Sequence, residues 1–295
     1  MKLNAADNLS LLFIAGLAGL VLACHTALGV TAGLLLAVQA SLAAAVFAAG
    51  WWATRSPLGE MAHAFSPVLL IPVLFNSLGA IIDCINPQRW DDAFARLDGR
   101  LFGDLAGTWQ QALGRPWWLT DLAYVVYVSY YVLPVVLGAV LYRRCRRPAF
   151  DELVFGALSC FYLSYVGYLL FPTLGPRVAI DAEPAVLGGS VVSEGVRLFL
   201  HFAERTTTDA FPSGHTAVSL VCWYMAWQLL PRWRGLVTLW VAGIIFTTVY
   251  LHYHYVVDVV AGAGLGAVTP LCARGLRRLC EPRLVRRWVA QRWPY

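Results

Sequence analysis

Two short stretches of this chain carry residue types that do chemistry: Pro212-Ser213-Gly214-His215 and His254-Tyr255-Val256-Val257-Asp258. The two histidines are 39 residues apart, and two apolar segments separate them. One segment carries the chain into a membrane and the next carries it back, so both imidazoles emerge at the same face. Polar groups held at a bilayer boundary are costly and mark function. Pro212 suits a helix start and Ser213 its cap. The N–H groups of Ser213, Gly214 and His215 then point out of the helix end, where a phosphate can bind. His215 beside that phosphate can donate a proton to a leaving oxygen. His254 and Asp258, at i and i+4, share one helical face. A carboxylate there accepts from one imidazole nitrogen, fixes the tautomer and leaves the other nitrogen free to attack. An unpaired carboxylate at depth costs on the order of 2.5–3.5 kcal/mol, so His254 is the expected partner of Asp258. The third element is Phe171-Pro172-Thr173-Leu174-Gly175-Pro176-Arg177. The planar fork of Arg177 suits two phosphate oxygens. An oxygen clamp, a proton donor and a nucleophile together suit phosphoryl transfer in two steps through a phosphohistidine.

These groups need elements to hold them, and the composition says which kind. Hydrophobic residues make up 59% of the 295 residues and charged residues only 13%, which places the chain among all-α integral membrane proteins. A spanning helix takes roughly 20 mostly apolar residues. Eight segments qualify, at about 9–27, 29–50, 64–84, 118–142, 152–172, 213–231, 235–253 and 255–273. The first could pass for a signal peptide, but Ala27-Leu28-Gly29 leads straight into another apolar run, so it is read as a span. Residues 1–62 then form a two-span hairpin, 63–275 a catalytic membrane domain, and 276–295 a basic cytoplasmic tail. With the N-terminus inside and eight crossings, fifteen of the 22 basic residues lie on the cytoplasmic side. The positive-inside rule favours that orientation, which puts both histidine stretches at the extracytoplasmic face. The net charge of +5 comes mainly from the tail beginning at Arg274. Beside a span, that cluster reads as a topology determinant against anionic lipid and speaks against a nucleic-acid partner.

Two segments are not spans. In 86–107, Trp90, Phe94, Leu97 and Leu101 share one helical face, with Asp91, Asp92, Arg96 and Arg100 opposite. That pattern predicts a surface amphipathic helix, either a plain connector or a lid over a lipid head group. The outer loop 173–211 leads into the Ser-Gly-His turn and is long enough to cover a site. A short amphipathic helix is expected within it at Val191–Phe202. Tyr124, Tyr127 and Tyr131 form a stripe that suits bundle packing or a polar head-group lining. Asp121, Tyr127, Tyr131 and Arg205 are the candidate lining residues.

In order and spacing, the three stretches resemble the signature motifs of the type 2 phosphatidic acid phosphatase superfamily. The resemblance covers roughly residues 115–275, and more weakly 86–107. It implies a six-helix lipid-phosphatase core within the bundle, no metal and no cofactor, and a phospholipid or lipid phosphate substrate. It implies His254 as nucleophile, Asp258 as its orienting partner, and His215 as acid for the leaving group. Arg177, Pro212, Ser213 and Gly214 would hold the phosphate. Two positions depart from the family pattern. A lysine expected seven residues before the arginine is Leu170, and an arginine expected six residues before the third-motif histidine is Thr248. Arg205 or another loop arginine is the candidate replacement. The Pro172-Thr-x-x-Pro-Arg177 form and Asp98-x-x-Leu101-Phe102-Gly103 look more like the inositol phosphorylceramide synthase branch. That branch moves a phospho-head group to a lipid alcohol, such as a ceramide or diacylglycerol, as a sphingomyelin synthase also does. A non-catalytic lipid-phosphate binder or transporter is a third reading of the same scaffold.

The other reactive side chains read as structural. None of the seven cysteines forms a CxxC pair, and they serve as small apolar fillers without a disulfide framework. His252 and His254 would face roughly 200° apart on a helix, a poor metal pair. His25, His63 and His201 are expected at the surface or interface. Abundant Ala, Leu and Arg with a single lysine, Lys2, point to a bacterial inner-membrane protein.

Overall fold

The computed structural model describes residues 3–144, 146–179 and 187–280, so Lys2, Cys145, part of the outer loop and most of the basic tail lie outside the described residues. Among the described residues there is no β-strand. A lone parallel bridge joins Thr173 to Asp209.

The apolar segments become helices because every backbone polar group in lipid must be satisfied within its own segment. In chain order these are α1 (Ala5–Ala23), α2 (His25–Leu28), α3 (Val30–Trp52), α4 (Pro57–Phe65) and α5 (Pro67–Ile85). Two shorter helices follow, α6 (Asp91–Leu101) and α7 (Leu105–Leu113). Next come α8 (Trp117–Val128) and α9 (Val132–Arg143), joined by the 3-10 turn Ser129–Tyr131, and then α10 (Arg147–Leu170). After the four-residue α11 (Pro176–Ala179) comes α12 (Val191–Ala203), the amphipathic helix expected in the outer loop. The chain then runs through α13 (Gly214–Leu229), α14 (Arg234–Tyr250) and α15 (Val256–Cys280).

Seven helical segments among the described residues are long and apolar enough to cross a membrane. The eighth expected span is α13, which has only 16 residues. That is about 24 Å, short of the roughly 30 Å hydrocarbon core. Its position explains why it can be short. It packs against α9, α10, α14 and α15, with Ala217, Val218 and Cys222 fully buried. Ten of its 16 residues are buried, and Trp227 near its far end is exposed, whereas Leu34, Leu69, Leu239 and Leu271 on other helices are mostly exposed and suited to lipid.

Two sequence expectations are corrected here. His63 is buried, and its Nε2 lies 2.9 Å from Asp7 Oδ2, so it joins α4 to α1 and is not a surface residue. In α6 the protein-facing residues include Asp91, which is buried, while Leu97 and Leu101 point outward. Asp91 and Asp98 turn inward and accept from backbone N–H groups of the site loops, while Asp92 is exposed.

Candidate active site

The turn between α14 and α15 presents His254. Asp258 lies in the first turn of α15, and its Oδ2 accepts from the Tyr255 N–H at 2.8 Å. The pair therefore does not share a continuous helix, as the i, i+4 spacing suggested. Asp258 Oδ2 stands 3.6 Å from His254 Nδ1, too far for a hydrogen bond but close enough to stabilise positive charge on the ring. The ring is fixed instead by the Ala210 carbonyl, 2.9 Å from Nδ1. A carbonyl only accepts, so Nδ1 carries the proton and Nε2 keeps its lone pair. That Nε2 faces His215 Nδ1 at 3.4 Å.

His215 occupies the first turn of α13, its ring packed between Tyr127 and Tyr130 at centroid distances of 4.4 and 4.2 Å. Ser213 caps α13 by accepting from the Thr216 N–H. Its own N–H donates to the Asp258 carbonyl at 3.0 Å, which ties the two histidine elements together through backbone. A side chain at Gly262 would collide with the Ser213 carbonyl, so glycine permits that approach. Pro212 follows a cis peptide bond, and Phe211 stacks on Phe94 of α6 at 4.4 Å.

The Arg177 N–H donates to the His252 carbonyl at 2.9 Å. Its guanidinium donates to the Tyr253 hydroxyl and lies over that ring. His252 has φ 59°, a left-handed conformation uncommon outside glycine, so the His252-Tyr253-His254 stretch is not helical. Asp91 accepts from the N–H groups of Leu174 and Gly175 at 3.0–3.1 Å, and Asp98 accepts from the Val257 N–H at 2.8 Å. Thus α6 holds the Arg177 loop with one carboxylate and the start of α15 with another. Burial raises the Asp98 pKa, against the lowering effect of the Val257 and Val256 N–H groups.

Two chambers meet at the histidines. A polar one of about 110 Å³ is lined by Arg177, His254, Tyr127, Tyr253 and Thr207. An apolar one of about 500 Å³ runs from Phe65 and Phe150 past Phe161 and Tyr165 to Tyr131 and His215. Its lining on α10 extends from Phe150 to Tyr168, about 27 Å of helix, which is comparable to the hydrocarbon core. Glu204 and Asp209 line both chambers. Tyr131 donates to Glu204. Burial raises the pKa of both carboxyls, and the neighbouring charge of Glu204 raises Asp209 further.

The structure thus brings together His254, His215, Asp258, Arg177, Pro212, Ser213, Gly214, Tyr127 and Tyr131. It separates two others. Asp121 accepts from the N–H groups of Ser190 and Ser193 and caps α12, outside both chambers. Arg205 is exposed, lines neither chamber, and binds Asn76 through its backbone. At the two departing positions, Leu170 is 56% exposed and Thr248 is buried, its carbonyl accepting from the Tyr253 and His254 N–H groups. Sequence reading missed Glu204, Asp209 and Tyr253, although all are polar neighbours of residues it chose. Among the described residues, no three His, Cys, Asp or Glu side chains converge as a metal site.

The family model described as the PAP2 superfamily matches residues 92–271. A Dictyostelium discoideum protein named PA-phosphatase related-family protein is 25% identical over 228 residues, covering 65% of this chain and 41% of the relative. The phosphoinositol dihydroceramide synthase of Bacteroides thetaiotaomicron is 27% identical over 161 residues, covering 50% of this chain and 53% of the relative. The chain spans about half the length of these relatives or less. No solved structure matches.

Proposed function

Since this chain belongs to the PAP2 superfamily, we propose that it cleaves a lipid phosphate ester at His254 and passes the phospho group to a lipid alcohol. The observation that carries this reading is the division of the site. His254 and Arg177 line the polar chamber, while His215 lines the apolar one. The phosphate and its head group belong with the arginine, and the lipid oxygen belongs with His215.

His254 Nε2 attacks phosphorus, and the bond from phosphorus to the lipid oxygen breaks. His215 gives that oxygen its proton, and the lipid alcohol leaves through the apolar chamber. The phospho-head group stays on His254 as a phosphohistidine, whose positive charge is offset by Asp258 and the Ala210 carbonyl. A second lipid alcohol in the same chamber gives its proton to His215 and attacks phosphorus. The phosphorus–nitrogen bond breaks and both histidines return to their starting state. A chamber lined by Phe, Leu and Tyr disfavours water as acceptor, and the phosphoinositol dihydroceramide synthase relative supports transfer. The distribution of basic residues supports cytoplasmic termini, with the site at the extracytoplasmic face of a bacterial inner membrane.

The test is turnover of head-group-labelled and phosphate-labelled lipids by the purified protein, with and without ceramide or diacylglycerol. A new labelled phosphodiester that depends on the added alcohol is the expected product. Release of water-soluble phosphate regardless of acceptor would replace transfer with hydrolysis. Lipid bound but never turned over would favour a binder or transporter.

A further inference from the structure

Cys24 and Cys84 are 60 residues apart in the chain, and packing brings them together. Neither lies in a CxxC motif, so only the fold shows the pair. Cys24 interrupts the helical run between α1 and α2, and Cys84 stands one residue before the end of α5. Cys84 Sγ lies 4.0 Å from the Cys24 carbonyl oxygen, and the two thiols are within hydrogen-bonding reach of each other. Both are free and half-buried, whereas Cys160 and Cys222 are fully buried in the core. Asp83, beside Cys84, forms an exposed ion pair with Arg89 at 2.7 Å, so the pair meets water and not the lipid core. It also shares one end of the bundle with the active site. Asn86, two residues after Cys84, donates to the Leu169 and Leu170 carbonyls at the end of α10, just before the Arg177 stretch. The opposite end of α1 carries Asp7 and its partner His63.

The fate of a thiol pair depends on the compartment it meets. Disulfides form and persist in extracytoplasmic spaces, whereas cytoplasmic thiols are kept reduced. Resting on the extracytoplasmic orientation of the site proposed above, we propose that Cys24 and Cys84 form a disulfide that fastens the turn after α1 to the end of α5. The oxidant is a dithiol–disulfide oxidoreductase of that compartment. One cysteine thiolate attacks a sulfur of the oxidoreductase disulfide, and the other oxidoreductase sulfur leaves as a thiolate. The second cysteine thiolate then attacks the first cysteine's sulfur in this mixed disulfide. The new bond forms, and the oxidoreductase departs as a dithiol carrying two electrons and two protons. Both cysteines lie outside residues 92–271, so the superfamily match does not supply the pair. The bond braces the site from outside it. On α5, Asn76 donates to the Ala203 carbonyl and accepts from the Arg205 N–H, and the Phe75 carbonyl accepts from the Thr206 hydroxyl. These contacts hold the chain between α12 and the Ser213 cap. A cross-link closing a 60-residue interval also restrains the unfolded chain and so stabilises the folded one.

The test is thiol mapping on the full-length protein in its membrane. Intact cells are treated with a membrane-impermeant maleimide. The protein is then purified without reductant, its remaining thiols are blocked with iodoacetamide under denaturing conditions, and its peptides are mapped by mass spectrometry before and after reduction. The expected result is a Cys24 peptide joined to a Cys84 peptide by a bond that reduction cleaves, with neither cysteine carrying maleimide. In Cys24→Ser, Cys84 should become labelled by the maleimide, and the thermal unfolding midpoint in detergent should fall by about 5 °C or more. Cys24 and Cys84 recovered as free thiols, or bonded to other cysteines, overturn the proposal. An unmoved midpoint overturns the bracing role. If the variant does not fold, the map of the parent protein decides. A reporter separates this outcome from a wrong orientation. Gln111→Cys on α7 is exposed, next to Gln110, which donates to the Tyr250 carbonyl at the start of the His254 turn. A labelled reporter with free Cys24 and Cys84 sinks the disulfide alone and leaves the transfer reaction standing. An unlabelled reporter with both thiols reduced sinks the orientation and the disulfide together. A mapped disulfide in a protein without turnover leaves this inference standing and removes the reaction.

Discussion

His63 and Asp7 meet at one end of the bundle, His254 and Asp258 at the other, and the two pairs are built differently. In the first, His63 Nε2 lies 2.9–3.0 Å from both carboxylate oxygens, and Asp7 also accepts from the Asn4 N–H at 2.7 Å. Each partner answers the other, and the pair fastens α4 to α1. In the second, Nδ1 and the carboxylate are 3.6 Å apart, and each is engaged by backbone instead. Among the described residues, His215 Nε2 and Asp258 Oδ1 are buried without a hydrogen-bond partner. Native proteins rarely leave such groups unsatisfied. A pair that closes on itself stabilises the bundle, whereas a pair that leaves polar atoms unsatisfied next to a chamber is equipped to act on a ligand.

The largest expected effect tests the open pair. His254→Ala should lower turnover by about 10⁴-fold or more while the thermal unfolding midpoint in detergent stays near that of the parent. Substantial retained activity on every phospholipid assayed would remove the nucleophile. The closed pair should behave in the opposite way. His63→Ala leaves Asp7 buried without its partner and should cost about 3–5 kcal/mol of stability, with kcat per folded molecule unchanged. Loss of kcat at unchanged stability would make the two pairs alike and undo the comparison.

The smallest effect concerns Asp98, a carboxylate that supports the site from α6 without belonging to either pair. Its folded pKa is raised by burial. Between the ordinary carboxylate value and the raised one, the folded chain keeps a proton that the unfolded chain has lost. Stability contributed by Asp98 is therefore present below that window and falls as pH rises through it. Asp98→Asn keeps an acceptor for the Val257 N–H and removes the titration. Its unfolding midpoint should decline less than that of the parent as pH rises above the ordinary Asp value of about 4. A steeper decline in the variant would reverse the sign.

The legible parts of the molecule were those written in local pattern. Apolar length announced the spans because lipid imposes one solution on each segment. Pro212 and Ser213 announced the start of α13 because helix ends need caps. Even there, α13 proved shorter than the bilayer core, because burial by neighbouring helices replaces lipid contact and no feature of its own sequence records those neighbours. Asp258 showed the same limit. Its i+4 spacing from His254 suggested a shared helical face and a direct hydrogen bond, but the ring is oriented by the Ala210 carbonyl, 44 residues away in the chain. Backbone acceptors have no residue code, so a motif cannot reveal them.

The sequence by itself determined an all-helical membrane chain and put Arg177, His215 and His254 forward as its candidate chemistry, since apolar length and reactive residue types are properties of single segments. Only the tertiary structure decided that His254 faces a polar chamber and His215 an apolar one. It alone turned Asp91 and Asp98 inward, placed Glu204 and Asp209 along both chambers, and left Arg205 outside. These outcomes depend on which backbone groups and side chains meet when distant helices pack, and each is settled by hydrogen bonding and desolvation across the whole bundle.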